Sequence, residues 1–321
     1  MAEGGKKMAG FAPEVLALLQ SIGLAAPMGI GEKFYVNGGA DGITAGVNAV
    51  GRGSKDRPVL TIAYALANLC VANRNDYIYC WNTYNQDTAP IVVTVPTVHI
   101  IGIAKPGIHT AILTDALAGD NPMFQCPVVG GGTSGVEIAG FCIGGGATHG
   151  CIEISAAYDW WIHHCTFGHE WAQAPQDGIR IVALSHCQAL LIEDNIFLGA
   201  SGPKGTITQY GIVAPAATAH VYQGVIRRNK ILRCTTGGIA LLNDCREVIV
   251  DENKISCASD AVAMAIDLGV TTSGCQISHN EAQHGDAVMT NNPYRDQAVA
   301  DANDWMCNQV GSVMKYPDEA M

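Results

Sequence analysis

The ten residues LLIEDNIFLG, Leu190 to Gly199, carry a short pattern: an apolar residue at Ile192, an asparagine three places on at Asn195, and an apolar residue two further at Phe197. The pattern returns at Ile226-Arg-Arg-Asn229-Lys-Ile231, Val250-Asp-Glu-Asn253-Lys-Ile255, Ile277-Ser-His-Asn280-Glu-Ala282 and, less fully, Trp305-Met-Cys-Asn308-Gln-Val310. Upstream, Ile162-His-His-Cys165-Thr-Phe167 keeps the frame with a cysteine, Glu137-Ile-Ala-Gly140-Phe-Cys142 keeps it through its glycine, and His99-Ile-Ile-Gly102 begins an earlier turn. From Gly140 the marker falls at 140, 165, 195, 229, 253, 280 and 308, with intervals of 25, 30, 34, 24, 27 and 28. A period in this range over short β-type segments is the mark of a solenoid, and unequal intervals place loops of different length between constant elements. Asn and Gly share the marker position because both tolerate positive φ, which a sharp corner between two short strands demands. Gly140, Asn195, Asn229, Asn253 and Asn280 are therefore read as a column of structural corners.

A second marker precedes each corner: His149-Gly-Cys-Ile-Glu-Ile154, Asp177-Gly-Ile-Arg-Ile181, Tyr210-Gly-Ile-Val213, Gly237-Gly-Ile-Ala240, Asp260-Ala-Val-Ala263 and Asp286-Ala-Val-Met289. Each reads as a short strand with alternating character. Stacked in parallel register, two or three strands per coil over seven or eight coils predict a rod about 35 Å long at a step of about 4.8 Å. The two residues between the Ile and the marker read His163-His164, Glu193-Asp194, Arg227-Arg228, Asp251-Glu252 and Ser278-His279 down the stack. Their signs alternate, as neighbours on adjacent strands require, since opposed charges attract by about 0.2–1 kcal/mol per pair and like charges repel. That assigns them to a solvated face.

Composition agrees with a packed rod. Of 321 residues 48% are hydrophobic and only 15% charged, with 37 glycines for turns. The net charge of −11 with no basic cluster excludes phosphate neutralisation as the main task, so nucleic acid is not an expected partner. No apolar run reaches the roughly 18 residues of a membrane span, and MAEGGKKMAGFAPEVLALLQ at the start lacks the pattern of a secretory signal; no membrane partner is expected. The 12 cysteines form no CxxC pair and sit mainly in apolar runs, which predicts reduced thiols packed as small hydrophobes and no metal or other cofactor.

This organisation resembles the right-handed parallel β-helix of the pectate-lyase-like superfamily, over roughly residues 34–311. The entry segment, FYVNGGADGITAGVNAVGRGSKDRPVLTIAYALANLCVANRNDYIYCWNTY, is similar to that family's opening: a Gly/Asp/Asn loop, a Thr-Ile start, a short amphipathic helix and a strand. Ile62, Ala65, Leu66, Leu69 and Cys70 recur at helical spacing with Thr61 placed to cap, so this helix is expected to close the first coil. Pro13 to Gly23 reads as a further short helix in an N-terminal arm. The fold class is thus all-β, a right-handed parallel β-helix with an N-terminal capping helix and a helical arm. The expected divisions are an attachment arm at 1–33, a capping loop and helix at 34–76, the β-helix at 77–311 and an acidic tail at 312–321.

The superfamily includes enzymes that cut polysaccharides with carboxylates on an outer sheet face. Asp260 and Asp286, placed at the same strand start on consecutive coils, would lie about 5 Å apart, near the spacing of a retaining glycosidase pair. The commoner role of such residues is to satisfy turn backbone. In HHCTFGHEWAQAPQDG, Glu170, Trp171 and Asp177 are candidates for glycan or subunit contact, while His163, His164 and His169 lack a ligand spacing that would fix a metal. Of Trp160 and Trp161, one is expected to pack. Unexported, reduced, glycine-rich β-helices also resemble bacteriophage virion components, tailspikes and head decoration among them. The resemblance implies a structural virion protein, a capsid-surface decoration or spike subunit attached through residues 1–33, assembled in the host cytoplasm. Its implied partners are other virion proteins, further copies of itself (a trimer among the options) and a cell-surface glycan. The alternative is a tailspike-like protein that binds or cleaves polysaccharide.

Overall fold

In the computed structural model, residues 31–39, 45–81, 90–103, 111–113, 121–127, 132–168, 174–182, 186–199, 207–215, 220–257, 264–283, 292–298, 302–310, 313–314 and 318–319 are described. The N-terminal arm, including the expected helix at 13–23, lies outside them. The described chain is a parallel β-helix. Three long faces hold ten, nine and nine strands, and a ribbon of five short strands marks one corner. One coil runs, for example, from Asp177–Ile181 on the second face, through His186–Gln188 of the corner ribbon and Leu191–Glu193 on the first face, to Ile196–Leu198 on the third. Strand pairing is parallel from coil to coil, the last turn at Val313–Met314 excepted, where the third face ends antiparallel.

The interior is a set of one-residue columns. On the first face Ile78, Ile100, Ile138, Ile162, Ile192, Ile226, Val250 and Ile277 stack inward, and on the second Ile152, Ile179, Ile212, Ile239, Ile266 and Tyr294 do so, all essentially without exposure. Phe167 and Phe197 stack on the third face with ring centroids 4.6 Å apart. Each fully buried side chain of this size contributes roughly 1.5–3 kcal/mol. Among the described cysteines, Cys80, Cys126, Cys142, Cys151, Cys165, Cys187, Cys234, Cys245 and Cys275 are free and buried. Burial pushes thiols such as Cys142, Cys165, Cys187 and Cys245 up to about 12, which leaves them as packing groups.

Asn195, Asn229, Asn253, Asn280 and Asn308 form one continuous amide ladder at the corner between the first and third faces, each at most 1% exposed. The Oδ1 of Asn229 accepts from both the backbone N and the Nδ2 of Asn195, at 3.1 Å each, and Asn229 in turn donates from N and Nδ2 to Asn253 Oδ1 at 3.0 Å. The same geometry joins Asn253 to Asn280 and Asn280 to Asn308. Every Nδ2 also donates to the carbonyl of the inward Ile or Val one coil back, as Asn195 does to Ile162 at 2.9 Å. Cys165 heads the column, its amide donating to Asn195 Oδ1 at 2.9 Å.

The corner's left-handed residue is not the asparagine, as its tolerance of positive φ suggested, but the residue before it: His164, Asp194, Arg228, Glu252, His279 and Cys307 have φ between 51° and 55°. The asparagine is needed for its side-chain amide instead. Gly140 takes the left-handed place itself, at φ 75°, because Ile138 pairs with Ile162 and so shifts the upstream frame by one residue; Phe141 stands where Cys165 and the asparagines follow. The other end of the first face has a second left-handed column, Thr97, Gly135, Asp159, Ala189, Gln223, Glu247 and Gly274, each followed by a residue of a buried stack such as Trp160, Leu190 or Val248.

The helix Ile62–Asn68 closes the first coil as expected. The Thr61 hydroxyl accepts from Tyr64 N at 3.1 Å, and Ile62, Ala65 and Leu66 are buried. The alternating charges pair as their register requires: Arg227 Nε donates to Glu193 at 2.7 Å and Arg228 Nε to Asp194 at 2.9 Å, while Ser278 and His279 contact Asp251.

Asn253→Ala should destabilise by roughly 2–6 kcal/mol, because two donors of Asn229 lose their shared acceptor in a buried corner; equilibrium urea unfolding against the exposed control Glu252→Gln measures this. Cys165→Asn should be neutral or stabilising by about 1 kcal/mol, since it adds a rung whose amide reaches Ile138 O, already the acceptor for the Cys165 thiol at 3.8 Å.

Candidate functional site

The outward side of the first face begins with aromatic residues. In Asp76–Trp81 the strand alternates, sending Ile78 and Cys80 inward and leaving Tyr77, Tyr79 and Trp81 half-buried outside. Tyr35, on the strand Lys33–Asn37, pairs in register with Tyr79. Ring centroids lie 5.6 Å apart for Tyr35 and Tyr79, 5.0 Å for Tyr35 and Trp81, and 6.0 Å for Tyr77 and Tyr79. Lys55 Nζ stands 6.0 Å from the Trp81 ring. Asp76 anchors the strand's start: fully buried, it accepts from Arg74 Nε and Val71 N at 2.7 Å and from Glu32 N at 2.9 Å. Burial opposes its ionisation, but these donors hold its carboxyl below the ordinary aspartate range.

The strip continues into a hydrogen-bonded chain of polar groups. His99 stacks on Tyr77 at 4.2 Å, and its Nε2 lies 2.6 Å from Asn75 Oδ1 while its Nδ1 contacts Glu137 Oε2. Glu137 Oε1 meets His163 Nε2 at 2.8 Å, and His163 Nδ1 meets His164 Nδ1 at 2.7 Å. Trp161, 38% exposed, lies over His163 at 3.8 Å and donates its Nε1 to Glu193 Oε1 at 2.9 Å. Burial works against the charge on Glu137, yet the hydrogen bonds and charge of His163 and His99 outweigh it and bring the carboxyl down to about 2. Glu193 is likewise lowered despite its burial, by Arg227, Arg228 and Trp161. The carboxylates along this strip are thus ionised at neutral pH. They orient imidazole and indole rings and hold no proton to donate to a leaving group.

The sequence-derived candidates fall elsewhere. Asp260, Asp286, Glu170 and Trp171 lie outside the described residues. The register argument that paired the two aspartates does not hold: on those coils the second face is built by Met264–Leu268 and Tyr294–Asp296, with Gly237 opposite Met264 and Ile266 opposite Tyr294. Ile266, Leu268 and Tyr294 are bulkier than the alanines and valines of the expected strands and take the inward positions. Asp177 does start its strand, but it is 1% exposed and offers no contact surface; Oδ1 accepts from Tyr210 N at 3.1 Å and Arg180 stands 3.8 Å away. Trp160 is the packing tryptophan, donating to Thr133 O at 2.9 Å, and Trp161 the outward one. The alternation in DYIYCW could have revealed the aromatic strip. His99, Glu137 and His163 meet only through register, and no local spacing signals them.

Burial pushes Asp177 up to about 6 against the Tyr210 hydrogen bond and Arg180. A raised acid contributes stability below its ordinary value of 3.8, and that contribution is lost as pH rises through about 6. Asp177→Asn, which keeps the acceptor for Tyr210, should therefore raise the melting temperature at pH 7.5 and change it little at pH 4, as calorimetry at the two pH values would record.

The architecture has a counterpart among solved structures. A rhamnogalacturonan lyase superposes with a TM-score of 0.53 at 13% identity, covering 89% of this chain and 75% of that one. The A-module of the Azotobacter vinelandii mannuronan C-5 epimerase AlgE4 matches at 14% identity and a TM-score of 0.34, covering 89% of this chain and 99% of that one. No protein-family model matches the chain, and no curated protein sequence does. At such identities the likeness is one of fold, the parallel β-helix.

Proposed function

We propose that this protein binds glycans on the outward side of its first face. The observation that carries the reading is the contiguous row of half-buried rings, Tyr35, Tyr77, Tyr79 and Trp81, running into His99 and Trp161 on a rigid sheet. Flat apolar ring faces with polar rims suit the C–H faces and hydroxyls of a sugar chain, and a sheet presents them with little ordering cost. The ionised state of Glu137 and Glu193 favours binding over acid-catalysed cleavage. The setting we propose is the surface of a bacteriophage virion, with residues 1–33 as attachment and a cell-surface polysaccharide as ligand. Mass measurement of the native particle would find the chain, as an oligomer, among virion proteins; recovery as a free monomer from virion-less cells would remove that setting.

On an array of bacterial surface polysaccharides, Tyr79→Ala/Trp81→Ala should weaken binding about tenfold, a loss of about 1.4 kcal/mol. Retention of full affinity by a variant with an unchanged circular dichroism spectrum would exclude this face. Incubation should release no fragments. Release that disappears in Asp260→Asn or Asp286→Asn would replace binding by cleavage.

A further inference from the structure

The corner ribbon between the second and first faces is built from strands of two or three residues, among them His186–Gln188, His220–Tyr222 and Cys245–Arg246. Cys187, Val221 and Cys245 turn inward and are buried, so the residues beside them face out. His186 and His220 lie 34 residues apart in the chain but are direct partners in the ribbon, at the parallel strand step of about 4.8 Å. Their ring centroids are 5.5 Å apart. Two imidazoles that share one tetrahedral zinc, at about 2.0–2.1 Å per Zn–N bond, hold their centroids about 5 Å apart. The pair therefore stands close to chelating distance.

The next coil fixes one of the two rings. His220 Nδ1 lies 2.8 Å from Asp244 Oδ2, which also accepts from the Tyr222 hydroxyl at 2.7 Å. Asp244 Oδ1 accepts from Arg246 Nε at 2.7 Å, so the cation of this cluster is paired with the same carboxylate. Burial opposes the charge on Asp244, but the hydrogen bonds from Tyr222, His220 and Arg246 outweigh it and hold the carboxyl below the ordinary aspartate range. An ionised carboxylate on Nδ1 makes that nitrogen the donor and leaves the ring's lone pair on Nε2. Carboxylates orient metal-binding imidazoles in the same way. His186 is exposed and makes no side-chain hydrogen bond among the described residues, which leaves its ring free to turn toward a shared ion.

We infer that His186 and His220 form a binding site for a borderline divalent metal ion of the Zn²⁺ type, with Asp244 as the residue that positions His220. Imidazole suits Zn²⁺, Ni²⁺ and Cu²⁺, whereas Ca²⁺ and Mg²⁺ prefer oxygen ligands. Among the described residues no group of three His, Cys, Asp or Glu side chains converges, so water completes the shell and the ion stays open on its outer side. The ion ties two successive coils together and stabilises the folded chain by mass action. Local spacing predicted no metal because this pair exists only through register. The site is separate from the aromatic strip and does not depend on the glycan reading.

The test is titration calorimetry of the full chain, stripped with EDTA and dialysed, against ZnCl2 and separately against CaCl2. The tightest class of sites should hold one Zn²⁺ per chain, Ca²⁺ should not occupy it, and Zn²⁺ should raise the melting temperature. His186→Gln alters an exposed ring, so in EDTA it should melt as the wild type does, yet it should bind Zn²⁺ about tenfold more weakly. His186→Gln/His220→Gln should lose the site. Asp244→Asn should weaken Zn²⁺ about tenfold through His220. Absence of saturable Zn²⁺ binding, an equal response to Ca²⁺, or unchanged Zn²⁺ affinity in the double variant would each overturn the assignment and leave the two rings as surface packing. Wild-type affinity in Asp244→Asn would overturn the positioning role of Asp244.

Discussion

The structure depends on one constraint: each coil must turn sharply out of a three-residue strand, and the turn uses a left-handed residue that an L-amino acid adopts only at a cost. That cost is on the order of 1–2 kcal/mol for each non-glycine residue. At one corner it recurs at His164, Asp194, Arg228, Glu252, His279 and Cys307. A buried turn of this kind also turns backbone amides away from the sheets, and those amides need acceptors where water cannot reach. The asparagine column supplies them. Each amide side chain accepts two hydrogen bonds from the coil before and donates to it, so the cost of the turn and the cost of burial are offset by the same group. At the opposite corner the amides of the left-handed residues donate to backbone carbonyls of the next coil, as Ala189 N does to Tyr222 O and Gln223 N to Arg246 O, both at 3.0 Å, beside an apolar stack of Trp160, Leu190 and Val248.

Fixing both ends of the first face makes its outer surface flat and repetitive. Short strands held in strict register convert sequence neighbours two apart, and residues 22 to 44 apart along the chain, into contacts on one plane. The aromatic strip and the imidazole–carboxylate chain through Glu137 are both products of that conversion. Each is a row of side chains addressed by coil number. The loops between coils vary in length without disturbing the rows, which is how a solenoid separates its binding surface from its spacing.

Much of this was legible in the sequence because the ladder leaves a local signature. Ile192, Asn195 and Phe197 and their equivalents gave the coils, and the signs at Glu193, Arg227 and Asp251 gave the register that the ion pairs bear out. The role of the asparagine was misassigned because left-handed propensity and amide capacity favour the same residue type, and only geometry tells which property is used. Near Gly140 the frame slipped by one, since a glycine can serve as either residue of the corner. The second-face strands start at Met264 and Tyr294, later than the starts expected at Asp260 and Asp286, and the larger Ile266 and Tyr294 take the inward positions there. His99, Glu137 and His163 were invisible as a group, being joined across coils whose lengths the sequence does not set.

Backbone amide hydrogen exchange at Asn195, Asn229, Asn253 and Asn280 tests the central claim most directly. The ladder requires these four amides, each bonded to the next side chain, to exchange only on global unfolding, as slowly as the amides of Ile192 and Ile226 in the paired strands. Exchange at those four positions as fast as in an exposed turn, with the strands still protected, would contradict it.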